Sequence, residues 1–142
     1  MDPKLIASVP LFAGVGRRRQ QRELAALVDE VTVPAGTKLT REGGYATEFF
    51  VILEGQADVT ALHTAPAKIS AGSAKLGTLG PGDFFGEVGL LAGPKRSATV
   101  VAASPMRLLA ASSRDFSTLM RSFPMVAARV RAECAARTGA FA

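Results

Sequence analysis

Four short runs rich in β-branched and aromatic residues follow one another in the first half of the chain. They read VTVPAG, TKLTREGG, EFFVILEG and QADVTAL, and glycine or proline residues punctuate them. Short runs of these residue types between turn-forming residues are typical of β-strands. Their regular spacing predicts a β-sandwich or a β-barrel.

A helical pattern precedes these strand-like runs. The segment RRRQQRELAALVDEV follows IASVPLFAGV, and within it Leu24, Leu27 and Val28 recur at helical spacing among charged residues. This period predicts one amphipathic helix in an N-terminal segment that covers residues 1–29.

Two helices are predicted at the other end of the chain, after the further strand-like runs ATVVAAS and MRLLAAS. Ser112 opens a sequence similar to a capping box, which predicts a helix that ends near Phe123. Pro124 suits the first turn of a second helix, for which Gly139 is the expected stop. The apolar positions that recur every fourth residue in this helix are Val126, Val130 and Cys134.

The order of one helix, about eight strands and two helices indicates an α+β fold. With 142 residues and 48% hydrophobic content, the chain is long enough for one core and too short for two comfortable ones. We therefore expect a single domain over residues 1–142. The small, polar stretch from His63 to Lys75 is interpreted as a long flexible hairpin connection without chemistry.

The chain is basic, with a formal net charge of +5 at pH 7. Its cations are dispersed, apart from a cluster formed by Arg17, Arg18, Arg19 and Arg22 at the start of the predicted N-terminal helix. Because this cluster has no interleaved aromatic residues and no zinc or RNA-recognition signature nearby, it favours a solvated helix face over a nucleic-acid site. A basic surface would still attract an anionic ligand or partner.

Cysteine content and hydropathy bear on the location of the chain. Cys134 is the single cysteine, so no intramolecular disulfide can form, and its place in the helical repeat indicates a small core residue. No apolar run approaches the ~20 residues of a membrane span, and no signal-peptide pattern follows Met1. We expect a cytoplasmic chain without a membrane span.

The stretch GDFFGEVGLLAGPKRSATV, residues 82–100, contains the candidate binding chemistry. Gly86, Gly89 and Gly93 interrupt its apolar residues, and glycine permits either positive φ angles or a close approach of the backbone to a ligand. Residues 87–91 suffice for one helical turn, whose free N–H groups can face an anion. This pattern predicts an anion-binding loop.

Three side chains of this stretch indicate the type of ligand. The guanidinium of Arg96 can hold two phosphate oxygens at once, and the hydroxyl of Ser97 can donate beside it. Glu87 would repel a phosphate, so we expect its carboxylate to accept hydrogen bonds from a hydroxyl. A molecule with an anionic phosphate beside a free ribose hydroxyl would satisfy both charged residues. An ordinary salt bridge between Arg96 and Glu87 is the alternative.

These residues resemble the phosphate-binding cassette of cyclic nucleotide-binding domains. The resemblance lies in Gly86-Glu87, a spacer with Leu90 and Gly93, and Arg96-Ser97-Ala98-Thr99-Val100. The preceding GPGDFF is similar to the family's approach to the cassette. SVPLF and EFFVILEG are similar to its N-terminal helical segment and to the glycine-ended strand that opens its roll. The resemblance therefore extends over nearly the whole chain.

The resemblance implies an α+β fold in which an eight-stranded antiparallel β-roll of the jelly-roll type spans residues 30–112. An N-terminal helical segment at 1–29 and two C-terminal helices at 113–139 would flank this roll, with the last helix as a lid. The implied ligand is cAMP, with cGMP as the second choice, and neither a catalytic cofactor nor a metal is implied. Ion-channel members of the family carry this domain as a cytoplasmic sensor.

The resemblance also implies roles for residues of this chain. Arg96 would pair with the cyclic phosphate, and Glu87 would accept a hydrogen bond from the ribose 2′-hydroxyl. Gly86, Ser97 and Ala98 would complete the phosphate cradle. The remaining expected contacts are Phe84, Phe85 and Val88 along the pocket, the inward-facing Val59 under the base, and Arg137 over the purine. For Arg137, the alternative is a solvated residue that complements the helix dipole.

Two other function classes can be compared with this one. A catabolite-activator-type transcription regulator resembles the chain but continues into a helix-turn-helix, for which we see no room after Gly139, so we expect no direct nucleic-acid binding. A cupin-like enzyme would need a His-rich metal site, which His63 and Cys134 cannot supply. We therefore expect a non-catalytic sensor whose ligand closes the last helix, and whose effector protein or domain contacts the N- and C-terminal helices.

Overall fold

In the computed structural model, an antiparallel β-roll is flanked by helices on one side. The structure describes residues 1–61, 74–91, 96 and 98–141. Most of the expected connection between His63 and Lys75 lies outside these residues, so its interpretation stays a prediction. Its last part differs from the expectation, because Lys75 already belongs to a strand.

Within the described residues, eight strands form two sheets of four strands each. The strands are β1 (Asp29–Val33), β2 (Lys38–Thr40), β3 (Glu48–Glu54), β4 (Ala57–Ala61), β5 (Ala74–Leu79), β6 (Phe84–Phe85), β7 (Thr99–Ala102) and β8 (Met106–Ser112). The strand order is β1-β8-β3-β6 in one sheet and β2-β7-β4-β5 in the other, and the paired strands are antiparallel. The predicted α+β fold with an eight-stranded antiparallel roll is confirmed.

Strand β3 explains how the roll accommodates a continuous apolar run. Successive side chains of a strand point to opposite faces, and both faces of β3 are covered. Phe49 and Val51 pack with the helices, whereas Phe50 and Ile52 belong to the cluster inside the roll. Burying each such side chain stabilises the fold by roughly 1.5–3 kcal/mol. Strand β3 therefore joins the two apolar clusters of the core.

The N-terminal segment differs from the predicted single helix. It forms two short 3₁₀ helices, Pro3–Ser8 and Pro10–Phe12, and then helix α1 (Arg18–Ala25). Leu27 and Val28 follow the end of α1, so the predicted helix was too long. The cause is the sheet, because the backbone from Asp29 onward pairs with β8 instead of continuing the helix.

The described part of the chain contains three further α-helices: α2 (Glu87–Leu91), α3 (Ser113–Ser122) and α4 (Pro124–Phe141). The hydroxyl of Ser112 accepts a hydrogen bond from the backbone N–H of Asp115 at 3.1 Å, which confirms the predicted N-cap of α3. The expected stop of α4 at Gly139 is wrong, since the helix continues to Phe141. Glycine inside a helix costs only about 1 kcal/mol relative to alanine, so it does not by itself end one.

Helix α4 packs on the roll and on the N-terminal segment. Val126, Val130 and Cys134 are buried, which confirms their predicted place in the core. The guanidinium of Arg129 donates hydrogen bonds to the carbonyl oxygens of Leu11 and Ala13, at 2.9 and 2.6 Å. Among the described helices, none is both long and apolar enough to cross a membrane.

Candidate ligand-binding site

A pocket of about 140 Å³ lies between the roll interior, α2 and α4. Most of the residues that the sequence predicted as ligand contacts line it, namely Val59, Phe85, Gly86, Val88, Arg96, Ala98 and Arg137. Glu87 lies directly beside it, at the start of α2. Ser97, the remaining predicted contact, lies outside the described residues. Residues far apart in the chain thus converge on one cavity.

One of the two arginines that line the pocket is Arg96, which is 7% exposed. Its Nη1 donates to the carbonyl oxygen of Gly86 at 3.0 Å, and its Nη2 donates to the carbonyl oxygen of Glu48 at 2.6 Å. The backbone of Arg96 is also fixed, because its N–H and C=O pair with Gly44 and Gly43 of the loop before β3. The guanidinium therefore has one position, set by backbone atoms.

The charge of Arg96 has no carboxylate partner within 4 Å among the described residues. Burial lowers the pKa of its guanidinium, and the neighbouring Glu48 and Glu87 partly oppose this. An arginine still remains protonated at neutral pH. The expected alternative, a salt bridge between Arg96 and Glu87, is wrong. The pocket thus presents a fixed positive charge that forms no ion pair with any described residue.

Gly86 is required by this arrangement for two reasons. Its φ angle is +99°, a conformation that side chains with a Cβ rarely adopt. A Cβ at this position would also lie 2.7 Å from Nη1 of Arg96 and 2.8 Å from the carbonyl oxygen of Glu48. Any side chain here would therefore displace the guanidinium or the strand that holds it.

The carboxylate of the site belongs to Glu87, which has no solvent exposure. Its Oε1 accepts a hydrogen bond from Nη1 of Arg137 at 2.6 Å, whereas its Oε2 has no hydrogen-bond partner among the described residues. Burial raises the pKa of Glu87 above its ordinary value, and the nearby charge of Arg137 only partly offsets this. One buried acceptor atom is therefore left open beside the pocket.

Arg137 links α4 to α2 across the mouth of the pocket. Besides Glu87, its guanidinium contacts the carbonyl oxygen of Phe84 at 2.6 Å and the carboxylate of Glu133 at 3.2 Å. It also lies 5.5 Å from the centre of the Phe84 ring. With a side chain only 16% exposed, Arg137 is not the solvated helix-end residue of the alternative interpretation.

The apolar wall of the pocket comes from the roll. Val59 pairs with Val100 across β4 and β7, and the ring of Phe85 stacks on that of Phe50 with 5.0 Å between centroids. Phe84 points the other way and packs with Phe49, so it supports Arg137 rather than lining the pocket. These walls can receive a flat apolar group.

Sequence reasoning missed several residues of the pocket. The hydroxyl of Thr40 donates to the carbonyl oxygen of Ala98 at 3.0 Å and accepts from the N–H of Val100 at 3.1 Å, which holds the end of the cassette against β2. Gly77, Thr78 and Leu79 of β5 form a further wall. Nothing local in the sequence indicated that these three consecutive residues line the pocket or that Thr40 lies opposite Ala98.

The geometry can hold a ligand with three features. A fixed guanidinium suits an anion, an open carboxylate oxygen suits a hydroxyl donor, and the walls suit a flat ring. The guanidinium and the walls lie within one small pocket, and the carboxylate of Glu87 follows directly after Gly86 of its lining.

The family described as "Cyclic nucleotide-binding domain" matches residues 30–123. A cyclic nucleotide-gated potassium channel of Rhizobium etli is 36% identical over 136 residues, which cover 96% of this chain and 35% of that protein. A cAMP-dependent protein kinase regulatory subunit of Mycosarcoma maydis is 32% identical over 82% of this chain and 22% of that protein. The chain thus spans about a third or less of the length of these relatives.

The fold gives the same result. The crystal structure of the catabolite activator protein of Thermus thermophilus superposes with a TM-score of 0.75 and 29% identity, over 91% of this chain and 58% of that one. Sequence and structure agree, and the family match includes the β-roll from its second residue onward, the short helix α2 and the whole of α3. This chain belongs to the cyclic nucleotide-binding domain family.

Proposed function

We propose that this chain is a non-catalytic sensor that binds a cyclic nucleotide, cAMP first and cGMP second, as one binding unit in the cytoplasm. The observation that carries this proposal is the buried guanidinium of Arg96, which backbone carbonyls fix and no described carboxylate neutralises. A fixed, desolvated cation without an ion pair favours an anionic ligand group.

The cyclic phosphate would lie against Arg96 and the backbone of the cassette. Gly86 permits this approach because it has no side chain, and Ala98 also lines the pocket. Two phosphate oxygens match two parallel N–H donors of a guanidinium, which gives a bond with direction as well as charge. Ser97, beside Arg96 in the sequence, would add a hydroxyl or backbone donor.

The ribose would bind at Glu87. Its Oε2 is buried without a described partner, so a hydroxyl that donates to it removes an unsatisfied acceptor. The 2′-hydroxyl of a cyclic nucleotide supplies this donor next to the phosphate. The base would then lie along Val59 and Phe85, where apolar contact favours a flat ring.

Helix α4 would transmit the binding event. Arg137 near one end of this helix contacts Glu87, and Arg129 contacts the N-terminal segment. A ligand that changes the contacts of Arg137, by drawing it over the purine, would shift α4 and with it the N-terminal segment. An effector protein or domain that contacts these helices would read that shift.

A catabolite-activator-type regulator is the second candidate context. It is favoured by the 29% identity and the TM-score of 0.75 with the Thermus protein, of which this chain covers 58%. In that context the same pocket would bind the same ligand, and the effector would be a DNA-binding domain.

Isothermal titration of the chain with cAMP, cGMP and AMP tests the proposal. We expect the cyclic nucleotides to bind at micromolar affinity or better and AMP to bind far more weakly. The Arg96→Ala variant should lose binding, whereas Arg18→Ala, which removes an exposed arginine of α1, should retain it. Equal binding by Arg96→Ala and the wild type would refute the proposal, as would the absence of binding to any cyclic nucleotide.

A further inference from the structure

A second concavity lies at the end of α2, where Leu90 and Leu91 line it. This groove, of about 510 Å³, follows one face of α3 between the end of α2 and the middle of α4. We call it the α3 groove, and it is lined by Leu90, Leu91, Ser113, Arg114, Phe116, Ser117, Met120, Arg121 and Arg131. Nothing in the proposed nucleotide site uses these side chains.

The floor of the α3 groove is apolar. Phe116 and Met120 are buried at its base, and Leu90 packs against the same core cluster. Leu91 stands at its edge and is 39% exposed, which makes it one of the few large apolar side chains that this protein presents to solvent. A floor of this kind suits an apolar anchor from a partner.

The rim of the α3 groove is positive. Arg114, Arg121 and Arg131 are exposed, and within the described ranges no ion pair involves any of the three. No carboxylate lines the groove among the described residues. Three cations around an apolar floor are complementary to an amphipathic segment with acidic residues.

The spacing of the arginines defines this segment further. Arg114 and Arg121 are seven residues apart on α3, which places their backbone positions about 10 Å apart along the helix axis. Acidic residues seven positions apart on a docked helix have the same separation. An apolar residue between them would then lie over Phe116 and Met120.

We propose that the α3 groove binds an acidic amphipathic helix of a partner protein, with two carboxylates on the arginine rim and an apolar anchor on the floor. A second copy of this chain does not fit, because its acidic residues are scattered and its net charge is +5. A lipid surface fits less well, since a flat bilayer cannot contact a floor that lies below its rim.

Docking in the α3 groove would be linked to the ligand pocket, and this link rests on the proposed function. Helix α2 begins with Glu87 at the pocket and ends with Leu91 at the groove. Helix α4 contributes Arg131 to the groove and Arg137 to the pocket. Any displacement of these helices by a nucleotide changes the groove, and the effect on the two affinities is reciprocal.

The test uses a synthetic, fluorescein-labelled peptide with strong helix propensity, glutamates seven residues apart and leucines on the face between them. Fluorescence anisotropy measures its binding to the whole chain in the absence of nucleotide, so the outcome does not depend on the proposed function. Two control peptides replace the glutamates by glutamine or the leucines by serine. We expect the wild type to bind the acidic peptide and both control peptides to bind at least about tenfold more weakly.

Charge-matched variants locate the binding surface. One combines Arg114→Glu, Arg121→Glu and Arg131→Glu, and the control combines Arg17→Glu, Arg18→Glu and Arg19→Glu on the N-terminal side. Both triple variants change the net charge equally, so only the first should weaken peptide binding, by about tenfold or more. Leu91→Ser tests the apolar edge with a single exposed substitution, and we expect about a threefold or larger loss. Circular dichroism verifies that each variant is folded.

Four results would overturn the docking proposal. Two concern the peptide: the acidic peptide does not bind, or the two triple variants lose the same peptide affinity. The other two concern different occupants: the chain dimerises through the groove arginines, or phosphatidylserine vesicles bind through those arginines while the peptide does not. Repeating the titration with saturating cAMP tests the link to the pocket. An unchanged peptide affinity would refute the link and leave the docking itself intact.

Discussion

Two arginines approach the same pocket from opposite sides, and the protein holds them differently. The guanidinium of Arg96 is fixed by the carbonyl oxygens of Gly86 and Glu48. That of Arg137 is fixed by one carbonyl oxygen and the carboxylates of Glu87 and Glu133. Carbonyl oxygens orient a cation without cancelling its charge, whereas carboxylates do both.

These different partners determine what each arginine can do. Arg96 keeps an uncancelled charge in a desolvated position, and an anionic ligand would complete it. The charge of Arg137 is already neutralised, so it contributes the link between α4 and α2 and depends on the state of Glu87. We therefore interpret Arg96 as the element that binds and Arg137 as the element that responds.

The largest expected effect follows from replacing Arg96. Arg96→Ala should lower cyclic nucleotide affinity by about 2–5 kcal/mol, because it removes a desolvated charge from the phosphate site. Arg96→Lys should recover only part of this loss, since an ammonium cannot bond two carbonyls and two phosphate oxygens in one plane. Isothermal titration measures both variants. Wild-type affinity in Arg96→Lys would show that the charge alone matters and that the fixed orientation of the guanidinium does not contribute to binding.

Gly86 tests whether the position of Arg96 matters as much as its charge. Gly86→Ala should weaken nucleotide binding by about tenfold or more, because the added Cβ meets Nη1 of Arg96 at 2.7 Å. Gly36→Ala is the matched control, since its φ of +88° is similar but no atom lies within 4 Å of the new Cβ. Both variants should lose stability in urea unfolding, and only the first should lose affinity. If Gly86→Ala and Gly36→Ala bound the nucleotide equally well, the position of the guanidinium would not matter for binding.

The next effect concerns the open oxygen of Glu87. Glu87→Gln keeps the size of the side chain but turns one acceptor into a donor. It should therefore weaken the binding of cAMP by about 1.5–3 kcal/mol. The affinity for 2′-deoxy-cAMP, which lacks the hydroxyl, should change much less. Titration of both ligands with both proteins gives a double comparison. A parallel loss for the two nucleotides would exclude the 2′-hydroxyl as the partner of Glu87.

Arg137 should have a smaller effect, which appears in the kinetics. Arg137→Ala removes the bond between α4 and Glu87, so we expect the nucleotide to dissociate about three- to tenfold faster with little change in association. Stopped-flow displacement of a fluorescent cyclic nucleotide measures this rate. Glu133→Gln, which loosens Arg137 without removing it, should have a smaller effect in the same direction. An unaltered dissociation rate in Arg137→Ala would contradict the interpretation of this residue as the one that responds.

The two arginines also show which parts of the structure the sequence could predict. Gly86, Glu87 and Arg96 lie within one short stretch whose residue types already indicate an anion site, and the structure places them together. The partner of Arg137 was not predictable, because Glu87 is fifty residues away and only the packing of α4 brings the two into contact.

The same distinction applies to the fold. The alternation of strand-like runs and the N-cap at Ser112 are local signals, and both were confirmed. The end of α1, the extension of α4 beyond Gly139 and the contact of Thr40 with Ala98 depend on pairing between distant segments. The local sequence pattern therefore cannot predict these pairings.

The last and smallest effect is a pH dependence of stability that originates at Glu87. Burial raises the pKa of Glu87 in the folded protein above the ordinary value of 4.5, so the folded state retains its proton at pH values where the unfolded state has lost it. The contribution of Glu87 to the free energy of unfolding is therefore fully present below pH 4.5 and declines as the pH rises through the folded-state pKa. Glu87→Gln, which does not titrate, should lack this decline, and urea unfolding from pH 4 to pH 7 measures the difference. Arg137→Ala should make the decline larger, because the charge that favours the ionised carboxylate is gone. If wild type, Glu87→Gln and Arg137→Ala followed parallel curves, Arg137 would not govern the ionisation of Glu87, and the contrast between the two arginines would rest on geometry alone.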